Sequence, residues 1–240
     1  MDEKVRLEQE MADIIMGRPT VFRADGRPFY IYPLSLGKVY MLNNLISQMG
    51  LRRERLEKMT NLEMLRVAKE RREKCIEVVL LLTGKGKDEV FDVDYNDEKR
   101  KFFSENLSDE DLASLLLLAL TSDRTAIVME NSGIGKEQER LRKVLKVKAK
   151  KSKGSLSFGG MTAFGTLIDA ACERYGWTKD YVVWGIDYSS LRLLLADKVT
   201  TTFLTDEELK EIPLSARSND SEKVRGTKEN MEKIKAMGWK

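Results

Sequence analysis

The sequence predicts a mainly α-helical protein carrying one small N-terminal β-hairpin. Three observations lead there. Apolar residues recur at spacings of three and four through most of the chain after Pro33. A single segment, TVFRADGRPFYIYP, combines β-branched and aromatic runs around an Asp-Gly step. Helix start and stop signals punctuate what remains.

The elements follow in order. Leu7, Met11, Ile14 and Ile15 share a helical face that Gly17 stops. Val21-Phe22 and Phe29–Tyr32 are the expected strands, turning at Asp25-Gly26, with Pro28 and Pro33 limiting their pairing. Ser35 opens a helix to Gly50 with Leu42, Leu45, Ile46 and Met49 inward. Thr60-Asn61-Leu62-Glu63 reads as a capping box opening one long helix that Gly84 ends. Its apolar face is Leu62, Leu65, Cys75, Ile76, Val79 and Leu80, and its charged middle, KERREK, limits deep burial to the ends. Ser108–Asp111 start a helix whose Leu112, Leu115, Leu116, Ala119 and Leu120 form a face that Leu117 and Leu118 broaden, so it must be covered on two sides. A basic helix follows to Lys151, then the Ser/Gly-rich SKGSLSFGG, then a second helical block and a short helix that Thr205 starts and Pro213 ends. The expected organisation is a helical body over 1–150, a basic Gly/Ser linker over 151–160, a helical module over 161–212 and a mobile polar tail over 213–240.

Composition narrows the function. The 240 residues contain no histidine, which removes Ser-His-Asp and Cys-His catalysis and imidazole zinc sites. The two cysteines, Cys75 and Cys172, sit far apart in helical patterns and read as free thiols in a reducing compartment. No apolar run is long enough to span a bilayer, and the charged start, MDEKVRLEQE, lacks the apolar core of a secretory signal. A cytoplasmic location is the expectation. SGIGKE and TGKGKDE fail as phosphate loops for want of a spaced glycine and a following Ser/Thr, and FDVDYNDE lacks the glycine and closing glutamate of a calcium loop. No carboxylate pair stands out as an acid/base couple. The expectation is a non-enzymatic protein without metal or cofactor.

Charge is unevenly placed. Residues 136–153 hold nine basic and two acidic side chains, a local +7 within a total of +3, which leaves −4 on the other 222 residues. Arg140, Arg142, Lys143, Lys146, Lys150 and Lys151 are therefore candidate contacts for nucleic acid or an acidic partner, or a solvated helix end. No aromatic residue for base stacking lies among them.

The block MTAFGTLIDAACERYGWTKDYVVWGIDYSSLRLLLADKV carries the strongest local signal. Phe164, Leu167, Ile168, Ala171 and Cys172 make an amphipathic helix, Gly176 ends it and Thr178 caps the next. Tyr181, Trp184 and Tyr188 have spacings that place them on one face, as core or as anchors for a partner. This block, through Glu173, Arg174, Tyr175, Gly176, Trp177, Thr178, Tyr181, Trp184 and Leu191–Leu195, resembles the C-terminal part of tail assembly chaperones of long-tailed (siphovirus-like) bacteriophages or prophages. The upstream YIYPLSLGKVYMLNNLI resembles phage-encoded proteins of that kind; residues 51–150 match nothing of the sort. The resemblance implies a protein that binds the tape-measure protein and tail-tube subunits during assembly and is absent from the finished particle. It also implies a C-terminal extension made by ribosomal frameshifting, for which the lysine-rich KVKAKKSKGS is the candidate junction. The expected partner contacts are Trp177, Tyr181, Trp184 and Tyr188, with Leu116 and Leu117 beside them. Two rival readings stay open: a structural virion component such as a connector or tail-completion protein, and a nucleic-acid-binding phage protein using the 136–153 helix.

Overall fold

In a computed structural model the chain is mainly α-helical with a two-stranded antiparallel hairpin near its start. The structure describes residues 9, 12–121, 123, 125–151, 160–213 and 216. Leu7 and Met11, most of the expected linker and nearly all of the expected tail lie outside the described residues.

Strands β1 (Thr20–Ala24) and β2 (Arg27–Ile31) pair with Phe22 opposite Phe29. Asp25 and Gly26 both take positive φ, +47° and +72°, the backbone a tight primed turn demands. Pro28 falls within β2, opposite Arg23. A two-stranded ribbon has only edges, so a residue without an N–H is tolerated there. Ring stacking of Phe22 on Phe29 at 5.5 Å continues onto Phe103, which Phe29 meets edge-on at 4.8 Å.

The helices are α1 (Leu36–Ser47), α2 (Arg53–Lys58), α3 (Thr60–Glu70), α4 (Arg72–Thr83), α5 (Lys87–Phe91), α6 (Val93–Asn106), α7 (Asp109–Thr121), α8 (Thr125–Asn131), α9 (Ile134–Lys151), α10 (Ala163–Tyr175), α11 (Tyr188–Ala196) and α12 (Asp206–Glu211). A five-residue π turn, Tyr181–Gly185, lies between α10 and α11. Helix α4 is the centre. Cys75, Ile76 and every residue from Val78 to Thr83 are buried, and α1, α3, α6, α7 and β2 surround it. Helix α7 is covered on two sides as expected, by α3 and α4, with Leu112, Leu115, Leu116 and Ala119 buried.

The long helix expected from Thr60 to Gly84 is two helices, broken at Arg71 (φ −132°, ψ 39°). The charged KERREK stretch supplies no apolar face to hold a continuous rod, and the break lets α4 enter the core at its own angle. The buried face of α3 is Met64, Val67 and Ala68, while Leu62 is exposed. The capping box does not form. Thr60 Oγ1 donates to the Leu56 carbonyl instead. Glu63 is buried, and its carboxylate accepts from the Arg66 guanidinium at 2.5 and 3.0 Å and from the Arg52 N–H at 2.9 Å. These bonds hold its carboxyl down at about 2, the Arg66 side chain contributing most.

A second, smaller core forms where Leu36 of α1 meets Ala171, Val182 and Leu191. The chain clusters as two compact units: the described residues of 9–134 and 160–198 make one, and those of 135–151 and 199–216 the other. The boundaries expected at 150 and 161 do not coincide with this division. In the second unit, Thr205 and Glu208 form the reciprocal capping box of α12.

Lys38 is 1% exposed, and its Nζ donates to the Gly84 carbonyl just past the end of α4. Burial pushes its pKa down to about 8, partly opposed by Glu89 and reinforced by Lys99. The folded state therefore releases this proton more easily than the unfolded chain, whose lysine titrates at ~10.4. Stability should rise as pH passes from about 8 to about 10.5, where the unfolded chain still binds the extra proton. Urea denaturation of Lys38→Met across that range should lack this rise; parallel profiles for the two proteins would contradict the assignment. Phe103, with no exposed surface, joins the hairpin to the α4 core. Phe103→Ala should lower unfolding free energy by about 3–5 kcal/mol, read from the shift in urea midpoint.

Candidate functional site

The two stretches singled out in the sequence, 30–46 and 173–195, are far apart along the chain and pack on each other. The Tyr188 N–H donates to the Leu34 carbonyl at 2.7 Å, and Ser35 and Asp187 form an isolated antiparallel bridge. Asp187 also caps α11, its Oδ1 accepting from the Ser190 N–H at 2.8 Å. Beside this seam the indole of Trp184 lies flat against Gly37. A Cβ at residue 37 would fall 2.8–2.9 Å from three atoms of its six-membered ring, so only glycine admits the indole this close. Phe91 meets Trp184 edge-on at 5.5 Å.

Four aromatic rings remain well exposed around this seam. Tyr40 is 66% exposed, Phe91 57%, Tyr181 44% and Phe164 38%. Tyr40 packs against Phe164 with centroids 5.6 Å apart and the ring planes tilted by 55°. It lies one turn beyond Gly37 on α1, so the Tyr40–Phe164 pair and the Phe91–Trp184 pair share one side of that helix. Tyr181 meets Trp177 edge-on at 5.2 Å, and Trp177 stacks on Tyr175 at 4.4 Å. The Tyr175 hydroxyl donates to the Leu194 carbonyl at 2.9 Å, anchoring this trio to α11. Gly185 makes room for Tyr181: a Cβ there would sit 2.4 Å from the tyrosine ring.

The three aromatics expected on one face point to three neighbourhoods. Tyr181 joins Trp177, Trp184 joins Gly37 and Phe91, and Tyr188 carries Arg192 over its ring at 5.4 Å. The cause is local backbone. The Ile186 N–H bonds back to the Tyr181 carbonyl, a π-type wide turn, and Ile186 and Asp187 are extended before α11 starts. The spacing of three and four then no longer measures one helix. Leu116 is 1% exposed within the main core and offers no surface to a partner; Leu117 is half-buried against the same core. No protein-family model, curated protein or solved structure matches this chain.

Tyr188 also lines a cavity of about 420 Å³ in the same unit. Ile31, Leu34, Leu82 and Leu118 make its walls apolar, and Asp13, Asp123 and Asp187 stand at it. Asp123 is taken by Arg192 at 2.8 Å. Among the described residues no group of three or more Cys, Asp or Glu side chains is placed to hold a metal ion, and no helix is long and apolar enough to cross a membrane. Cys75 and Cys172 are free, and burial pushes the Cys75 thiol up to about 11, away from reactivity.

The basic residues of α9, the candidates and Lys148 with them, divide between two faces. Arg140 and Lys148 bond to backbone carbonyls of their own unit, Ala216 at 2.8 Å and Phe203 at 3.3 Å. Arg142, Lys143, Lys146 and Lys150 are exposed, and the Lys151 side chain lies outside what the structure describes. Sequence reasoning missed Tyr40, Phe91 and Phe164 as surface groups. Phe164 fits the inward stripe of α10 by spacing, and Phe91 lies in an acidic stretch; only the tertiary fold brings them to the seam.

The fit between Gly37 and Trp184 yields a test. In an open helix Gly→Ala adds up to about 1 kcal/mol of stability. Here Gly37→Ala should destabilise and shift tryptophan emission to the red as the indole is expelled; a stabilised variant with unchanged emission would mean the indole does not sit there.

Proposed function

We propose that this chain is a non-enzymatic tail assembly chaperone of a long-tailed bacteriophage or prophage, acting in the host cytoplasm on the tape-measure protein and tail-tube subunits. The observation that carries the reading is the set of exposed rings, Tyr40, Phe91, Phe164 and Tyr181, mounted around a packed seam. Exposed aromatics on a rigid base are the usual anchors of a protein interface. An amphipathic client helix offers the matching apolar stripe. Both stretches that resemble such chaperones contribute to that seam, which agrees with the same reading. A client helix shielded there is kept from self-association while the tail is built.

The test is co-expression of the full chain with the tape-measure protein encoded in the same phage genome. The pair should co-purify, and the tape-measure protein should stay soluble. Tyr40→Ser together with Phe164→Ser should abolish co-purification while leaving the melting temperature within a few degrees, because both rings are on the surface. Retained capture by that variant would remove these rings as the contact. Recovery of the chain in purified particles, at a fixed number of copies, would favour a structural component over a chaperone.

A further inference from the structure

We propose that the outward face of α9, formed by Arg142, Lys146 and Lys150 with Lys143 beside them, is a sequence-independent contact for the phosphate backbone of a nucleic acid. The inference is independent of the client-binding reading and concerns the second unit alone.

The structure sorts the basic residues of α9 by role. At 3.6 residues per turn, Arg140, Leu141, Val144, Val147 and Lys148 fall within about 120° of one another. That side faces the rest of its unit: Leu141, Val144 and Val147 are half-buried, and Arg140 and Lys148 bond to the carbonyls of Ala216 and Phe203. Arg142, Lys146 and Lys150 follow at steps of four, so they line the opposite side at a rise of about 6 Å each. All three are exposed, with no ion pair or hydrogen bond among the described residues. Lys143 lies on the same side and pairs with Glu139 at 3.1 Å, the one acid on that face.

What such a face fits follows from what surrounds the cations. Its one large apolar neighbour is Leu145, 45% exposed at the edge beside Arg142, and it carries no aromatic ring, so it lacks the cluster of aromatic anchors that a protein interface uses at its centre. A helix that lies in a membrane surface needs a free apolar side opposite its charges. Here that side is turned to residues of its own unit. A regular row of uncompensated cations needs only a regular row of anions, and a nucleic-acid backbone supplies one through release of condensed counterions. Without rings to stack on bases the contact is blind to sequence.

The experiment is fluorescence anisotropy of the intact protein with a labelled duplex and a labelled oligo-dT strand, titrated at salt from about 50 to about 200 mM. Three phosphate contacts give a slope of log K against log salt near −2.7 for the duplex and near −2.1 for the single strand, so duplex affinity should fall about 40-fold over that range. R142Q, K146Q and K150Q should each reduce the duplex slope by about 0.9, and the triple variant should bind neither probe. K148Q, on the inner face, is the control and should leave the slope unchanged. Equal losses from K148Q would mean that overall charge rather than this face binds. Salt-independent binding, no binding at 50 mM salt, or displacement of the duplex by polyglutamate at equal charge would each overturn the proposal, the last by pointing to an acidic protein instead. Circular dichroism on each variant checks that α9 is intact.

Discussion

Helix α4 is buried all the way round from Val78 to Thr83, and that single constraint organises the first unit. A stretch with no polar face has to be enclosed, and five elements pack on this helix. Enclosure creates a second demand at its C-terminus, where carbonyls lose their intrahelical partners and cannot reach water. The Tyr32 N–H takes the Leu82 carbonyl at 3.2 Å, and the Lys38 ammonium takes that of Gly84. Those two bonds fix the exit of the hairpin and the first turn of α1. Gly37, one residue before the lysine, is thereby held where Trp184 can lie on it. The candidate surface is thus tied to the core through a helix end that has to be satisfied.

This dependence explains why α1 serves two cores. Its later residue Leu42 enters the α4 core, and its first residue Leu36 enters the cluster with Ala171, Val182 and Leu191. A short helical block of some forty residues has little interior of its own, and borrowing Leu36 supplies part of it. The consequence is mechanical. The rings around the seam are presented by elements that also pack the interior, so their positions are set by burial rather than by loop conformation. A buried lysine used as a carbonyl partner is an expensive device, because its charge is desolvated. Its presence makes sense where orientation of α1 matters more than the stability an apolar side chain would give.

Much of the fold was legible in the sequence, because local rules and burial agreed there. The Asp25-Gly26 turn, the start of α7 at Ser108, the Thr178 and Thr205 caps and the stop at Gly176 all follow from short-range chemistry that tertiary structure left alone. Where a local signal competed with packing, packing won. Thr60 and Glu63 spell a capping box, yet Glu63 binds Arg66 and Arg52 because it is buried beside them. The stripe Tyr181, Trp184 and Tyr188 has a helical period in the sequence, and a π turn in the chain changes it. Leu116 and Leu117 are neighbours in a leucine run, and only the placement of α3 and α4 decides that the first is sealed in. Pairings such as Tyr40 with Phe164 span more than a hundred residues, and no periodicity carries information over that distance.

The energetics of the exposed rings suit capture followed by release. An aromatic side chain presents about 150–250 Å² when fully exposed. Rings near half exposure thus retain about 100 Å² each, or about 2.5 kcal/mol at 25 cal/mol per Å² if a partner covers them. Four such rings amount to about 10 kcal/mol before association costs, which run from about 4 to about 15 kcal/mol. The balance is weak binding that further contacts along a long client can strengthen by repetition. A permanent structural joint needs a larger and more apolar interface than this. On the chaperone reading proposed above, a small group of rigid, half-exposed rings would hold a client well enough to keep it from aggregating, and loosely enough that a growing assembly with better contacts could take it away.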